Sequence, residues 1–259
     1  MSYESQPIGI FDSGMGGISV LREARALLPH EDYLFYGDNA HAPYGTQPEA
    51  RIRDLACAAA DQLVAHGAKA LVIACNTATS AAAETLRAQC ALPVIAMEPA
   101  LKPAAACRHG GLILVMATPM TLSLPKFQAL MMRYGEGAVP IPCPGLMEFV
   151  ERGELYSPAL LAHLHGLLGD YLRVQVDAVV LGCTHYVFLR KSIASFFPAS
   201  TYIVDGNMGT VRQLQRVLAR QGLLRTEGTG RVMLMTSGDA SLLLPRMQRL
   251  LEIPKELSL

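Results

Sequence analysis

Short apolar runs alternate with longer stretches rich in alanine and leucine along most of this chain. The short runs are dominated by valine, isoleucine and leucine, which is typical of strands buried on both faces of a parallel sheet. The longer stretches have the length of helices and consist mostly of good helix formers. The pattern therefore predicts an α/β fold built from doubly wound parallel sheets.

Eight strands and two long helices can be placed from this pattern. The strands are predicted at residues 8–11, 33–36, 70–74, 94–96, 112–116, 178–181, 202–204 and 232–235. The clearest helices are predicted at residues 48–66 and 78–89. The alternation of the two element types is what a series of βα units requires.

The chain also contains two pairs of similar segments. AKALVIACNTATS at residues 68–80 and VDAVVLGCTHYVF at residues 176–188 share an apolar strand, a small residue, a cysteine and two polar residues. A fainter similarity relates PIGIFDSGMGG near the start to GGLILVMATPM at residues 110–120. Repeated layouts of this kind predict two similar domains that arose by internal duplication.

The repeated segments indicate where the domain boundaries are expected. Residues 1–97 plus 206–259 are predicted to form the first α/β domain, which carries Cys75, and residues 98–205 the second, which carries Cys183. Ligands of parallel sheets bind outside the carboxyl ends of the strands. We therefore expect an active site in the cleft between the domains, with the two cysteines facing each other across it.

Composition narrows the class of protein. The chain has 259 residues, and its 51% hydrophobic residues are enough for a sizeable core. Its 22 basic and 22 acidic residues balance, without a basic run or a Lys/Arg stripe, which argues against nucleic acid as a partner. The start does not have the pattern of a secretory signal, and no apolar run is long enough for a membrane span, so a cytoplasmic protein without a membrane partner is expected.

The six cysteines show neither a CxxC pair nor a regular spacing. This argues against a disulfide framework and against a metal site such as a zinc knuckle. Most buried free cysteines simply act as small hydrophobic residues. The equivalent positions of Cys75 and Cys183 in the two halves are what favours chemistry at these two.

Cys75 is predicted to lie in a turn with Asn76 and Thr77, between the end of a strand and the start of a helix. The positive end of a helix dipole and free backbone N–H groups favour the thiolate form of a cysteine, which makes it a usable base. Asn76 and Thr77 could donate hydrogen bonds to an anionic ligand. The structural alternative is a small residue that fills a corner, with Thr77 as the helix cap.

Cys183 repeats this arrangement, followed by Thr184 and His185. Thr184 could serve as a hydrogen-bond donor. His185 is the member of the set that can titrate near neutrality. It could exchange protons with the thiol, or it could simply hold the turn.

A glycine-rich turn follows the first strand, in FDSGMGG. It fits neither the GxGxxG fingerprint nor a GxxxxGK[ST] loop, so a nucleotide is a poor ligand for it. Its glycines allow backbone amides to approach a small anion closely. Asp12 and Ser13 would handle such a ligand, and Asp12 suits an ammonium group.

Other candidates lie in loops and at a helix end. The loop GDNAHAPYGTQ could close over a site with Pro43, Tyr44 and Gly45. Glu151, at the end of a short helix in FVERG, is a plausible proton carrier, although an exposed carboxylate is the commoner reading of such a position.

Two threonines complete the candidates. Thr118 and Thr121, in MATPMTLS, occupy the second domain's equivalent of the Asp12 turn. There they could bind a carboxylate.

Along essentially its whole length the chain resembles the glutamate racemase family. The motifs that carry the resemblance are FDSGMGG, YGDNAHAPYGT, ACNTATS, ATPMT, CPGLMEFVE and LGCTHY, in this order. The resemblance implies a two-domain α/β fold, no cofactor, and interconversion of L- and D-glutamate for peptidoglycan synthesis. It also makes a homodimer a fair expectation.

The resemblance also implies roles for individual residues. Cys75 would be the catalytic base acting on D-glutamate and Cys183 the one acting on L-glutamate. The assisting acid/base residues would be Asp12, Glu151 and His185. The substrate contacts would be Asp12, Ser13, Tyr44, Gly45, Asn76, Thr77, Thr184 and His185, with Thr118 and Thr121 as additions.

Two other readings stay open at this point. Aspartate racemase, or another amino-acid racemase of the same superfamily, would use the same cysteine pair in a pocket of different length. A non-catalytic binding protein for small anions would use the glycine turn and the helix N-termini without proton transfer.

Overall fold

The computed structural model describes residues 3–253, which form two compact units. The first unit comprises the chain up to Met97 together with Asn207–Glu252, and the second contains Glu98–Gly206. None of the helices within residues 3–253 is long and apolar enough to cross a membrane.

The chain begins in the first unit, where strands and helices alternate. In order, these elements are β1 (Ile8–Asp12), α1 (Ile18–Leu27), β2 (Tyr33–Gly37), α2 (Glu49–Ala65), β3 (Ala70–Ile73), α3 (Asn76–Gln89) and β4 (Val94–Ala96). Short 3₁₀ helices at Asn39–His41 and Tyr44–Thr46 lie between β2 and α2.

The second unit follows with the same alternation. Its elements are α4 (Leu101–Ala106), β5 (Leu112–Ala117), α5 (Pro119–Ser123), α6 (Pro125–Tyr134), β6 (Ala138–Pro142), α7 (Leu146–Arg152), α8 (Pro158–Leu168), β7 (Val176–Leu181), α9 (Arg190–Ala194) and β8 (Tyr202–Asp205). A 3₁₀ helix at Thr184–Leu189 separates β7 from α9. The chain then returns to the first unit through α10 (Asn207–Arg220), β9 (Val232–Thr236) and α11 (Ala240–Glu252).

The two sheets share the order of four strands, and the first sheet has β9 as a fifth. The order in the first unit is β4-β3-β1-β2-β9 and in the second β6-β5-β7-β8, and every neighbouring pair is parallel. In each unit the first strand therefore has the second strand on one side and the third and fourth on the other. This confirms the prediction of two parallel-sheet α/β domains of similar design.

One strand was missed in the sequence. Ala138–Pro142 forms β6, which pairs with β5 alone at the edge of its sheet. Pro140 and Pro142 lack backbone N–H groups and make the segment a poor match to a central strand, but an edge strand tolerates them. The segment therefore lacks the sequence pattern of a central strand because it forms an edge strand.

A buried polar cluster lies at the amino end of the first sheet. Lys69 and Glu31 form an ion pair with an N–O distance of 2.6 Å, and both side chains are fully buried. The Lys69 ammonium group also donates to the carbonyl oxygens of Glu4 and Leu223, while Glu31 accepts the backbone N–H of Arg225. The cluster thus holds the segment that follows α10 against the start of the chain.

Candidate active site

The predicted site residues of the first unit follow two neighbouring strands. β1 pairs with β3, with Phe11 opposite Ile73, so that the residues after these positions lie at one carboxyl edge of the sheet. Asp12 ends β1, and Cys75 lies two residues beyond β3. Strand order thus brings together two turns that are about 60 residues apart in the sequence.

Asp12 is fully buried and organises the glycine-rich turn. One carboxylate oxygen accepts the backbone N–H and the hydroxyl of Ser13, at 2.7 and 3.3 Å, and the other accepts the backbone N–H of Gly17. A Cβ at Gly17 would lie 2.7 Å from the Cβ of Asp12, which is too close. The glycine is therefore needed for the close approach of carboxylate and backbone.

Cys75 is buried and is the N-cap of α3. Its sulfur accepts the backbone N–H of Ala78 at 3.4 Å and lies 3.6 Å from the hydroxyl oxygen of Ser13. The expectation that Asn76 and Thr77 belong to the turn was wrong, because α3 begins at Asn76. The cysteine itself caps the helix, so Thr77 does not have the capping role that the structural alternative required.

Asn76 is the clearest sign of a ligand site in the first unit. Its side chain is buried, and neither the nitrogen nor the oxygen of its amide has a hydrogen-bond partner among the described residues. A buried polar group without a partner costs about 1–3 kcal/mol. This amide lies in the first turn of a helix of 14 residues, beside Cys75 and the buried Thr77, where an anionic ligand group would accept from its nitrogen and a ligand donor would satisfy its oxygen.

The loop after β2 carries a site residue that the sequence analysis did not single out. Asp38 is buried, accepts the hydroxyl of Tyr44 at 2.6 Å, and lies 2.9 Å from Nδ1 of His41. Burial and the hydrogen bond to Asp38 raise the pKa of Tyr44, whose phenol lies in the electrostatic field of Cys75 and Asp12. Its position along the chain could have identified it, because Asp38 directly follows β2 just as Asp12 ends the neighbouring β1.

The rest of this loop is more open. Pro43 and Gly45 flank the buried Tyr44 and are both partly exposed. Tyr44 is buried and lies in the electrostatic field of Cys75, while the expectation that this loop contributes to a site stays a prediction. Substrate contacts of Pro43 and Gly45 stay predictions.

The second unit contains a linked set of three groups. Cys183 follows the strand β7 after a single glycine, and its sulfur lies 3.7 Å from Nδ1 of His185. Nε2 of His185 lies 2.7 Å from the carboxylate of Glu151, near the end of α7. Glu151 therefore has a partner. Its position in the sequence is more typical of an exposed carboxylate, which the structure does not show.

The environment of His185 sets its charge. Burial alone lowers the pKa of this imidazole, but the hydrogen bonds with Cys183 and Glu151 outweigh burial and hold the pKa well above its usual value. The imidazole is therefore protonated more readily than that of an ordinary histidine.

The threonines predicted in the second unit lie at the carboxyl ends of β5 and β7, which are neighbours in the sheet. Thr118 caps α5 by accepting the backbone N–H of Thr121 at 3.2 Å, and its hydroxyl donates to the Thr121 hydroxyl at 2.9 Å. Thr184 is buried beside Cys183. A capping role for Thr118 is thus visible, while its contact with a substrate carboxylate stays a prediction.

Cys143 is a second buried thiol near Cys183. It lies in the field of Cys183, and burial raises its pKa, so that it stays a neutral thiol. Its carbonyl oxygen accepts the hydroxyl of the fully buried Tyr186 at 3.1 Å. Cys143 and Tyr186 thus form a structural support beneath the segment that carries His185.

The structure therefore gathers most predicted residues into two groups, one in each unit. Asp12, Ser13, Tyr44, Cys75, Asn76 and Thr77 form the first group, and Glu151, Cys183, Thr184 and His185 the second. Within the described residues, no group of three or more His, Cys, Asp or Glu side chains could hold a metal ion.

Comparison with known proteins shows the family to which this chain belongs. A family model described as Asp/Glu/Hydantoin racemase matches residues 18–214. The chain belongs to this family. Membership makes it a racemase, which is an isomerase.

Individual relatives agree with this assignment. The chain is 45% identical over 242 residues to a glutamate racemase from Clostridium botulinum (strain Okra / Type B1), a match covering 92% of this chain and 94% of the relative. The crystal structure of glutamate racemase from Thermus thermophilus with β-chloro-D-alanine is 36% identical, with a TM-score of 0.81 and coverage of 95% and 93%. That of Francisella tularensis glutamate racemase with D-glutamate is 25% identical, with a TM-score of 0.82 and coverage of 96% and 94%. The family resemblance read from the sequence motifs is therefore confirmed.

Proposed function

We propose that this protein is a glutamate racemase that interconverts L- and D-glutamate by two-base proton transfer at Cα. The observation that carries the proposal is an identity of 45% to a glutamate racemase over 92% of the chain, with a cysteine turn present in each unit. A solved relative named as a complex with D-glutamate supports glutamate over aspartate as the substrate.

The α-proton of an amino acid is only weakly acidic, so the chemistry needs a base on one face of Cα and an acid on the other. In the proposed reaction the thiolate of one cysteine removes the proton, and the thiol of the other delivers a proton to the opposite face. Cys183 acts on L-glutamate and Cys75 on D-glutamate. The C–H bond that breaks and the C–H bond that forms exchange one proton each, so no oxidant or reductant is consumed.

Two different relays would serve the two cysteines. Ser13 connects Cys75 to the carboxylate of Asp12, with distances of 3.6 and 3.3 Å between successive heavy atoms. His185 connects Cys183 to the carboxylate of Glu151, with distances of 3.7 and 2.7 Å. In the second relay, a protonated His185 stabilises the Cys183 thiolate while Glu151 stabilises the imidazolium.

Negative charge that develops at Cα must be met by groups already in place. The Asn76 amide, Thr77 and the N-terminal N–H groups of α3 are suited to the substrate's α-carboxylate, because they are donors in a buried setting. Thr118, Thr121 and Thr184 supply further donors from the second unit, and Pro43, Tyr44 and Gly45 would line the first. The proposal includes no cofactor, so no pyridoxal phosphate or metal ion is required.

The wider setting belongs to the same proposal. D-Glutamate produced in the cytoplasm would supply peptidoglycan synthesis. The racemase would work as a homodimer, without nucleic acid or membrane as a partner.

The decisive experiment is circular dichroism of the purified protein incubated separately with each enantiomer of glutamate and of aspartate. We expect the signal of either glutamate enantiomer to decay to zero, and aspartate to react far more slowly. Activity should survive dialysis against EDTA and treatment with hydroxylamine. Decay with aspartate alone would assign the protein to aspartate, and binding of glutamate without any decay would identify a non-catalytic binding protein.

A further inference from the structure

The segment that carries Thr184 and His185 is held by groups outside itself. Thr184–Leu189 is a 3₁₀ helix of six residues, and runs of this helix beyond three or four residues are uncommon because their hydrogen-bond geometry is poor. Cys183, its N-cap, makes no side-chain capping bond. The position of His185 therefore depends on contacts with neighbouring elements.

In addition to the bond between His185 and Glu151 on α7, hydrogen bonds to two carbonyl oxygens hold the start and the middle of the segment. Directly before Cys183, the backbone N–H of Gly182 donates to the carbonyl oxygen of Met116, at 2.7 Å. Within the segment, the hydroxyl of Tyr186 donates to the carbonyl oxygen of Cys143. These bonds hold the segment to the end of β5 and to the loop before α7.

The end of the segment is held by Arg190, the first residue of α9. Its guanidinium group donates to the carbonyl oxygen of Ile203 at 2.6 Å and forms an ion pair with Asp205. Both side chains of the pair are 14% exposed. A planar guanidinium with two such bonds fixes orientation as well as distance.

This pair closes a loop between adjacent strands. β7 and β8 are parallel neighbours, with Leu181 opposite Asp205. The segment leaves the sheet after β7, and Arg190 ties its far end back to the carboxyl end of β8. Cys183, Thr184 and His185 therefore lie in a loop that is fixed at both ends to adjacent strands.

We infer that Arg190 is a positioning residue of the racemase, which acts through Asp205 and Ile203 to set where Thr184 and His185 stand relative to Cys183. The inference rests on the proposed function, in which Cys183 is the base for L-glutamate. It assigns no contact with the substrate to Arg190.

Arg190→Met tests the inference, because methionine keeps much of the apolar stem and removes both bonds. Arg108→Met is a matched control, since Arg108 also donates to one carbonyl, that of Gly111, and pairs with one carboxylate, that of Glu136, at the opposite end of the same sheet. We expect Arg190→Met to lower kcat roughly ten- to a hundredfold, as a small misplacement of a catalytic group does. Arg108→Met should leave kcat within about twofold, and Arg190→Lys should fall between the two.

Isotope effects distinguish a role of Arg190 in positioning the groups around Cys183 from a general loss of rigidity in the protein. Because the equilibrium constant between enantiomers is 1, kcat/KM must fall equally in both directions. If the Cys183 step alone is slowed, the isotope effect should rise with L-[2-²H]glutamate, where that step breaks the labelled bond. It should fall with D-[2-²H]glutamate, where Cys75 breaks it. Equal changes in both directions, or wild-type kinetics, would overturn the inference.

A second readout does not depend on turnover. NMR titration of the His185 imidazole should give a lower pKa in Arg190→Met than in wild type, since the bonds with Cys183 and Glu151 loosen, and no change in Arg108→Met. An unchanged titration in Arg190→Met contradicts the inference. If wild type does not racemise glutamate while this shift still occurs, the proposed function fails and the positioning role stands.

Discussion

The two proposed relays differ in chemistry at the level of single residues. The relay to Cys75 runs through a serine hydroxyl, which does not titrate near neutrality. The relay to Cys183 runs through an imidazole held between a thiol and a carboxylate. The proton-transfer step at Cys75 and the step at Cys183 should therefore respond differently to pH and to substitution, although they use the same kind of base.

The two cysteines themselves are the first test. We expect Cys75→Ala and Cys183→Ala each to lower kcat at least about a hundredfold, because a positioned general acid or base contributes about 10²–10⁴-fold and both are needed for inversion. Circular dichroism of glutamate measures the rate, and far-UV spectra check the fold. Cys90→Ala and Cys107→Ala, one in each unit, are controls and should keep wild-type rates. Near-normal turnover in either catalytic variant would remove the two-cysteine mechanism.

Glu151→Gln tests the charge on His185. The carboxylate is an anionic acceptor for the imidazolium, so its loss should lower the pKa of His185, as measured by NMR titration. The raised pKa means that the pair stabilises the fold fully below the ordinary histidine pKa, about 6.5, and loses this contribution as the pH rises through the raised value. Urea denaturation should therefore show that Glu151→Gln lowers the free energy of unfolding, relative to wild type, more at pH 6 than at high pH. Equal losses at both pH values would contradict a charged His185.

At the level of elements, the two proposed catalytic cysteines lie where parallel strands end and the backbone turns sharply. Gly182, between β7 and Cys183, shows what such a turn demands. A Cβ at this position would lie 2.8 Å from the carbonyl oxygen of Met116 and 3.0 Å from the Cβ of Ala117. The backbone carbonyl cannot move aside, so a side chain at 182 must displace the turn that carries Cys183.

Gly182→Ala is therefore expected to destabilise the protein by about 1–3 kcal/mol, as overpacking does, and to reduce kcat as well. Gly166→Ala is the matched control, because Gly166 lies inside α8 with open space around its Cβ position. Replacing a helical glycine by alanine should stabilise the fold by roughly 0.5–1 kcal/mol. Urea unfolding and the racemase assay measure both effects. A Gly182→Ala variant with unchanged stability would show that the backbone of the turn can accommodate a side chain at this position.

Much of this architecture could be predicted from the sequence because buried parallel strands have a strong local signal. The strands β1 and β7, with their valine and isoleucine runs, illustrate this. Asp38 could not be recognised in the same way, since its importance comes from its partners Tyr44 and His41. The pairing of Glu151 with His185 depends on tertiary packing of α7, 34 residues away in sequence, which no local pattern encodes.

At the scale of the whole molecule, the first unit is assembled from two separate stretches of chain, which need a specific contact. The ion pair between Lys69 and Glu31 supplies it, with its further bonds to Leu223 and Arg225 in the returning stretch. A fully buried lysine with carboxylate and carbonyl partners is satisfied only when both stretches are in place. The cluster therefore couples the folding of α10 and β9 to that of the chain's start.

Glu31→Gln should destabilise the protein by about 3 kcal/mol, since it leaves the buried Lys69 ammonium without its counter-charge. Glu49→Gln, which removes the exposed carboxylate paired with Arg53, is the matched control and should change stability by at most about 0.5 kcal/mol. Urea unfolding monitored by far-UV circular dichroism measures both. Similar midpoints for the two variants would mean that the buried pair adds little to holding the stretches together.

Two-base chemistry also predicts where the hydrogen of the product comes from, which tests the cooperation of both units in one reaction. If one unit's cysteine removes the α-proton and the other's delivers a different one, racemisation in heavy water should place solvent deuterium at Cα of every inverted molecule. Mass spectrometry after chiral separation, early in the reaction, measures this. Unreacted substrate should keep its protium at that stage, and the Cys75→Ala variant supplies the background of uncatalysed exchange. Protium retained in inverted product would instead require a single group that carries the same hydrogen from one face to the other.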